Sequence, residues 1–404
     1  MSTVASLFDA AFMADPYPVY ADLRAAGPVH AIELLGRTWA FTRHADVAAL
    51  LKDPALSARR GSALVDQFPP EARAELATFT RLFSMWMLFF DPPEHTRARR
   101  WLARAFAPDA LARLRERIDE AVTRLLDAAR DRGTGRFDVI ADLARPLPAT
   151  VIADWMAIPG DDREAFVGWT DDIAEFFGSS QPTLPMARRA QDGLSALTDC
   201  FRRLVRERRG GAGDDLVSEL ANGSEIDPVA DEEALAAQCA MLAFAGHETT
   251  RNLVGNGALA LLGDEGARAT LLSGAVSART AIDELLRYDS PVQFGTRFAA
   301  ADFDVHGVRV QRGELIILLF GSANRDEAEF AQPDRLDLTR QPNRHVSFGN
   351  GPHTCIGAAL AHLEGAAALT ALFRRFPSLA LDGRDRQWSA NFGFRGLREL
   401  PVRF

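Results

Sequence analysis

The stretch "HVSFGNGPHTCIG", His345 to Gly357, decides how this chain is read. Its thirteen residues hold three glycines, a proline, two histidines and one of only three cysteines. Gly349, Gly351 and Gly357 permit conformations and close approaches that a Cβ forbids, so the loop can lie flat against a planar object. The run that follows, "IGAALAHLEGAAALTALFRRF", is a strong helix former. Cys355 therefore stands at a helix start, where the helix dipole and the loop amides favour thiolate over thiol.

Around this loop the composition is that of a globular protein. With 404 residues, 47 % of them hydrophobic and 25 % charged, the chain can bury a large core. A formal net charge of −9 argues against a general nucleic-acid binder, which needs a basic surface to neutralise phosphates. The first residues, "MSTVASLFDAAFMADPYPVY", lack the basic start and cleavage pattern of a signal peptide. No apolar span near them approaches the roughly 18 residues of a membrane helix, so a cytoplasmic protein without a membrane anchor is expected. Cys200 and Cys239 lie in the helical runs "LTDCFRRLV" and "LAAQCAMLAFA" and read as small buried hydrophobes. Three cysteines without CxxC spacing make neither a disulfide framework nor a zinc site.

Helical periodicity dominates. "APDALARLRERIDEAVTRLLDAARDR", "DEEALAAQCAMLAFAGHETTRNLVGNGALALLG" and "SARTAIDELLRYD" all space apolar residues at three and four. Strand-like segments are short and lie at the flanks, in "PVHAIELLGRTWAFT", "FDVHGVRVQRGELIILLF" and "RELPVRF". The pattern predicts a mainly α fold with small β-sheets and one domain over residues 1–404; "RERRGGAGDDLVSEL" is too short a connection to separate two.

A lone thiolate in a glycine loop serves as a nucleophile, a redox switch or an axial ligand for haem iron, and the loop alone does not choose among them. Three further constellations do. "AIDELLRYD" sets Glu284 and Arg287 at i, i+3, with Arg335 downstream in "AQPDRLDL". "LAFAGHETTRN" interrupts a long apolar helix with Gly246, Glu248 and Thr249; polar residues in such a run either bond back to the helix or serve a reacting ligand. "DPPEHTRARR" places His95 and Arg99 at i, i+4 behind two prolines that start a helix.

In combination these residues resemble the cytochrome P450 family, specifically its soluble bacterial members. Phe348-Gly349-x-Gly351-x-His353-x-Cys355-x-Gly357 is similar to the family's haem signature, and Glu284-x-x-Arg287 to its helix pair. Ala245-Gly246-x-Glu248-Thr249 is similar to its oxygen-activating motif, and the three occur in the family's order over nearly the whole chain. The resemblance implies a haem held between a long distal helix and the cysteine loop, with Cys355 as the metal ligand. It implies haem contacts from Phe348, Gly349, Gly357, Ala245 and Gly246, the last at a local widening of the helix where dioxygen sits. His95, Arg99, Arg297 and His353 would bind the propionates. Thr249 would hold dioxygen by a hydrogen bond, Glu248 would relay protons, and Glu284, Arg287 and Arg335 would form a structural triad.

The segment "FTRLFSMWMLFF" precedes the helix of His95, where the family has a substrate-contacting loop, and supplies Phe83, Met85, Trp86, Met87, Leu88 and Phe89. Phe176, Phe177, Val292, Phe294, Phe392 and Phe394 fall at other segments that border the pocket in the family. Such a lining implies a hydrophobic small-molecule substrate. The expected activity is that of a monooxygenase using heme b and dioxygen, most simply a hydroxylase. The length leaves no room for a fused flavin or iron–sulfur module, so electrons are expected from a ferredoxin and an NAD(P)H-dependent ferredoxin reductase. A monomer is expected. The alternatives are a peroxide-driven peroxygenase and a non-catalytic haem-thiolate sensor or carrier; Glu248 and Thr249, an acid beside an alcohol, favour turnover with dioxygen.

Overall fold

The computed structural model describes residues 9–33, 36–222, 231–383 and 386–404. Its centre is the helix Glu232–Gly263, apolar on nearly every face and buried along most of its length. Asp231 starts it by accepting the Ala234 amide at 2.7 Å, and Glu232 and Glu233 in the first turn suit the positive end of the dipole. A helix apolar all round must be surrounded. The helices Pro146–Trp155, Gly160–Phe177, Leu184–Arg208, Ala278–Tyr288 and Ala358–Arg375 pack around it.

Two of those contacts depend on missing side chains. A Cβ on Gly365 would stand 3.0 Å from Leu253, and one on Gly257 would stand 2.9 Å from Leu369. The helix that follows the cysteine loop thus lies close along the central helix.

Short strands form the flanks, as expected. The main sheet runs Val29–Glu33, Arg37–Phe41, Leu315–Leu319, Phe294–Ala299, Leu56–Ser57. Its second and third strands pair parallel, with Trp39 opposite Ile316, and the other pairs are antiparallel. Arg136–Asp138, Pro401–Arg403 and Ala380–Leu381 make a second sheet, and Phe303–Val305 with Val308–Val310 a hairpin. The strand Phe294–Ala299 carries Arg297 towards the helical body with the side chain buried.

Candidate functional site

The cysteine loop is shaped by its glycines. Gly349 at φ +70° and Gly351 at φ +77° occupy the left-handed region, and a Cβ on Gly351 would also stand 3.0 Å from the Leu51 carbonyl. The Cys355 amide donates to the Phe348 carbonyl at 2.8 Å, closing the loop just before the helix Ala358–Arg375. Cys355 is exposed, unlike Cys200 and Cys239, while the protein around it desolvates the thiol. The two facts agree if Cys355 faces an internal space. The sequence predicts a favoured thiolate, but here burial pushes the thiol up, and the Gly357 amide and the Arg99 charge only partly offset it. A helix start, one amide and one neighbouring guanidinium do not outweigh desolvation.

Basic side chains gather beside this loop. His95, 1 % exposed, lies with its ring centroid 3.9 Å from that of His353. Arg297 is also buried. Burial, then the charges of Arg297, His95, Arg60 and Arg99, hold His353 far below the usual imidazole range, and burial likewise depresses His95. Burial brings Arg297 down to about 10. The His95 Nε2 and the Arg60 Nε have no partner among the described residues. His345 stands apart from this cluster, its Nε2 3.2 Å from Asp283, which also faces His362 at 2.6 Å.

On the central helix, Ala245 is exposed in a run of buried neighbours, so this stretch too opens onto the interior. Thr249 donates its hydroxyl to the Ala245 carbonyl at 2.8 Å, which leaves the oxygen's lone pairs free to accept. Glu248 accepts from Arg251 and from Asn252, each at 3.2 Å. Burial raises its carboxyl above the usual range against the pull of Arg251, and Asp171 adds to the rise. Arg251 lies 4.0 Å from Asp171, which also pairs with Arg145 near the surface. His247 points elsewhere, its Nδ1 3.0 Å from the Thr170 hydroxyl, and burial brings it down to about 4.

Gly246 departs from the expected place. The helix is α-helical throughout, without a widening, and a Cβ on Gly246 would stand 2.8 Å from Ile152. Its missing side chain admits the helix Pro146–Trp155, while Ala245 and Thr249 face the interior.

The expected lining residues divide into separate groups. Phe83, Trp86, Phe89, Phe177 and Phe394 form one cluster with Phe244, successive centroids lying 4.6 to 6.2 Å apart. Gln238 fixes the loop that carries Trp86: its carbonyl accepts the Met87 amide at 3.0 Å and its amide donates to the Met85 carbonyl. Met85 and Leu88 are half-buried and pack against the same core, and Met87 is buried in it. Val292 pairs as an isolated bridge with Phe394. Phe176 turns the other way, onto Phe79 and Phe68, because consecutive helical residues diverge by roughly 100°. Phe294 and Phe392 stack at 4.5 Å, and Phe392 belongs to the core beneath Phe12 and Tyr20 rather than to this cluster.

The triad also changes membership. Arg287 donates to both oxygens of Glu284, at 2.8 and 2.9 Å, and both side chains are 0 % exposed. The third member is Arg340, its guanidinium 3.0 Å from Glu284. Arg335 gives only its backbone carbonyl, to Arg287, and its exposed side chain approaches Gln332. Sequence distance favours Arg335, but the turn of chain after Leu336 brings Arg340 back onto the carboxylate.

With this geometry in place, comparison with known proteins is direct. A family model described as Cytochrome P450 matches residues 278–395. The biotin biosynthesis cytochrome P450 of Bacillus subtilis (strain 168) is 35 % identical over 405 residues, 100 % of both chains. The cytochrome P450 monooxygenase PikC of Streptomyces venezuelae is 37 % identical over 399 residues, 97 % of this chain and 92 % of that one. A crystal structure of P450BioI in complex with hexadec-9Z-enoic acid ligated acyl carrier protein has a TM-score of 0.88 at 34 % identity, covering 98 % of this chain and 100 % of that one. The chain belongs to the cytochrome P450 family.

As a bacterial-type cytochrome P450 it is a monooxygenase, an oxidoreductase of a family that uses haem and dioxygen. Among its described residues no helix is long and apolar enough to cross a membrane. The residues present fit a flat group with two carboxylates at its edge. A solvent-reached thiol faces the interior, and buried cations with orphaned nitrogens stand beside it. Four residues of this geometry carry no signal in the sequence: Phe244, Gln238, Arg60 and Arg340. Phe244 was hidden in an apolar helical run, and the two arginines lie in loops whose course no periodicity reveals.

Proposed function

We propose that this P450 binds heme b, with Cys355 as the residue whose sulfur would ligate its iron, and inserts one atom of dioxygen into a hydrophobic small molecule, most simply by hydroxylation. The observation that carries the reading is Cys355 itself, a solvent-reached thiol inside the protein beside a cluster of buried cations. Bound haem supplies the iron chemistry that reduces dioxygen and oxidises substrate. The chain's own residues do the rest. The Gly357 amide donates towards the sulfur and tempers its electron donation. His95, Arg99, Arg297 and His353 meet the propionates, whose charge satisfies cations that burial otherwise disfavours. Thr249 holds a proton at its hydroxyl oxygen. Glu248, its carboxyl raised above the usual range by burial, stores a proton, and Arg251, itself near Asp171, orients that carboxyl.

The rings of Phe83, Trp86, Phe89, Phe177, Phe244 and Phe394 hold an apolar substrate and exclude water. A fatty acyl group on its carrier protein, as in the P450BioI complex, is one molecule of this class. Electrons come from a separate ferredoxin and its NAD(P)H-dependent reductase. Exposed Arg97 and Arg100, on the helix Glu94–Leu102 that carries Arg99, offer such an acidic partner a basic face.

Replacing Cys355 by Ala tests the assignment. The ferrous carbon monoxide complex should lose its thiolate-type band, whereas Cys200→Ala and Cys239→Ala keep it. An unchanged spectrum in Cys355→Ala refutes the ligand.

A further inference from the structure

Arg60 extends the cation cluster towards the aromatic rings. It follows the short strand Leu56–Ser57, and its side chain is half-buried. Nη1 donates to the Ala58 carbonyl at 3.0 Å and more weakly to that of Leu88 at 3.5 Å. Nε is buried with no acceptor among the described residues. Burial and the Arg297 charge both work against its cation, with Asp91 alone opposing them. That carboxylate is already engaged by the Ser57 hydroxyl at 2.6 Å, the Ala58 amide at 2.7 Å and Arg59 at 3.7 Å. On its other side the guanidinium carbon lies 5.0 Å over the ring of Phe89, a member of the aromatic cluster. Arg60 thus joins the basic groups around His353 and Arg297 to the apolar lining.

A buried guanidinium without a counter-charge is costly, and its planar fork matches a carboxylate. We propose that Arg60 receives a carboxylate at the junction of the cation cluster and the aromatic cluster. The carboxylate comes from the haem edge or from the acid end of a hydrophobic substrate. The inference rests on the haem and substrate sites proposed above and adds a fifth basic side chain to them.

The test uses the full chain with Arg60→Gln and Arg60→Lys, both checked for wild-type circular dichroism and for the thiolate-type carbon monoxide band. One arm measures haem loss to excess apomyoglobin from protein loaded with haem or with haem dimethyl ester, which has no free carboxylate. The other measures binding of laurate and of 1-dodecanol by equilibrium dialysis. Loss of a charge-assisted pair predicts an effect of about tenfold or more in one arm. If the haem edge is the source, Arg60→Gln releases haem faster but the diester at the wild-type rate. If the substrate is the source, Arg60→Gln weakens laurate and leaves dodecanol unchanged. In either case Arg60→Lys recovers part of the effect. Equal losses for acid and ester, or no change in either arm, overturn the proposal. Failure of the haem reading itself is distinguishable, because wild-type protein would then show no thiolate-type band.

Discussion

Removing Arg287 tests the buried charge cluster that ties the helix Ala278–Tyr288 to the segment before the cysteine loop. Besides its two bonds to Glu284, Arg287 donates to the carbonyls of Asn324 at 2.9 Å, Pro333 at 2.7 Å and Arg335 at 3.1 Å. Arg287→Ala strands the Asn324 and Pro333 carbonyls, while that of Arg335 keeps Arg340 at 3.3 Å. Glu284 keeps only Arg340, Asn343 at 3.1 Å and the Asp337 amide at 2.9 Å. Breaking a fully buried pair costs about 3–5 kcal/mol, against a whole-domain stability of about 5–15 kcal/mol. Arg340→Ala, which removes one charge-assisted partner at the edge of the cluster, should cost about 1.5–3 kcal/mol. Arg335→Ala keeps the carbonyl that Arg287 uses and should stay within about 0.5 kcal/mol of wild type. Urea unfolding followed by far-UV circular dichroism measures all three. Arg287→Lys, which retains charge but not the fork, supplies an intermediate value if the alanine variant does not fold. A loss below about 1 kcal/mol for Arg287→Ala, or equal losses for Arg335→Ala and Arg340→Ala, would refute this account of the cluster.

Glu364 is fully buried with both carboxyl oxygens unpartnered, and burial pushes it up to about 8. Its folded pKa lies above the unfolded one, so its contribution is complete below about pH 4.5 and is lost as pH rises towards 8. The loss is on the order of 4 kcal/mol by pH 8. The wild type should therefore weaken relative to Glu364→Gln over that window, and parallel stability–pH curves would exclude a buried neutral acid. At the distal pair, Thr249→Ala should leave substrate binding and dioxygen consumption largely intact while the ratio of hydrogen peroxide formed to NAD(P)H consumed rises. Unchanged coupling would reduce Thr249 to its bond with the Ala245 carbonyl. Arg100→Glu should slow reduction by an acidic ferredoxin and flatten the salt dependence of that rate; a rate and salt slope equal to wild type would move the docking face elsewhere.

The local patterns determined a good deal. Apolar spacing predicts the central helix, and the structure has it from Glu232 to Gly263. The glycine loop ahead of a helix-forming run predicts a backbone shaped by φ > 0, found at Gly349 and Gly351. Glu284 and Arg287 meet because i, i+3 residues share a helix face. These are short-range facts, written in propensity and periodicity.

What only the tertiary structure decided lies where distant segments meet. Arg340 displaces Arg335 because loop closure, not sequence distance, brings a guanidinium to Glu284. Phe177 joins the aromatic cluster and Phe176 does not, since helix rotation alone separates neighbours. The Cys355 thiol is pushed up where the loop by itself favours thiolate, because desolvation depends on every segment packed around the sulfur. Arg60 carries no signal in the sequence. Its meaning arises from burial beside Arg297 and Phe89, which lie far from it along the chain.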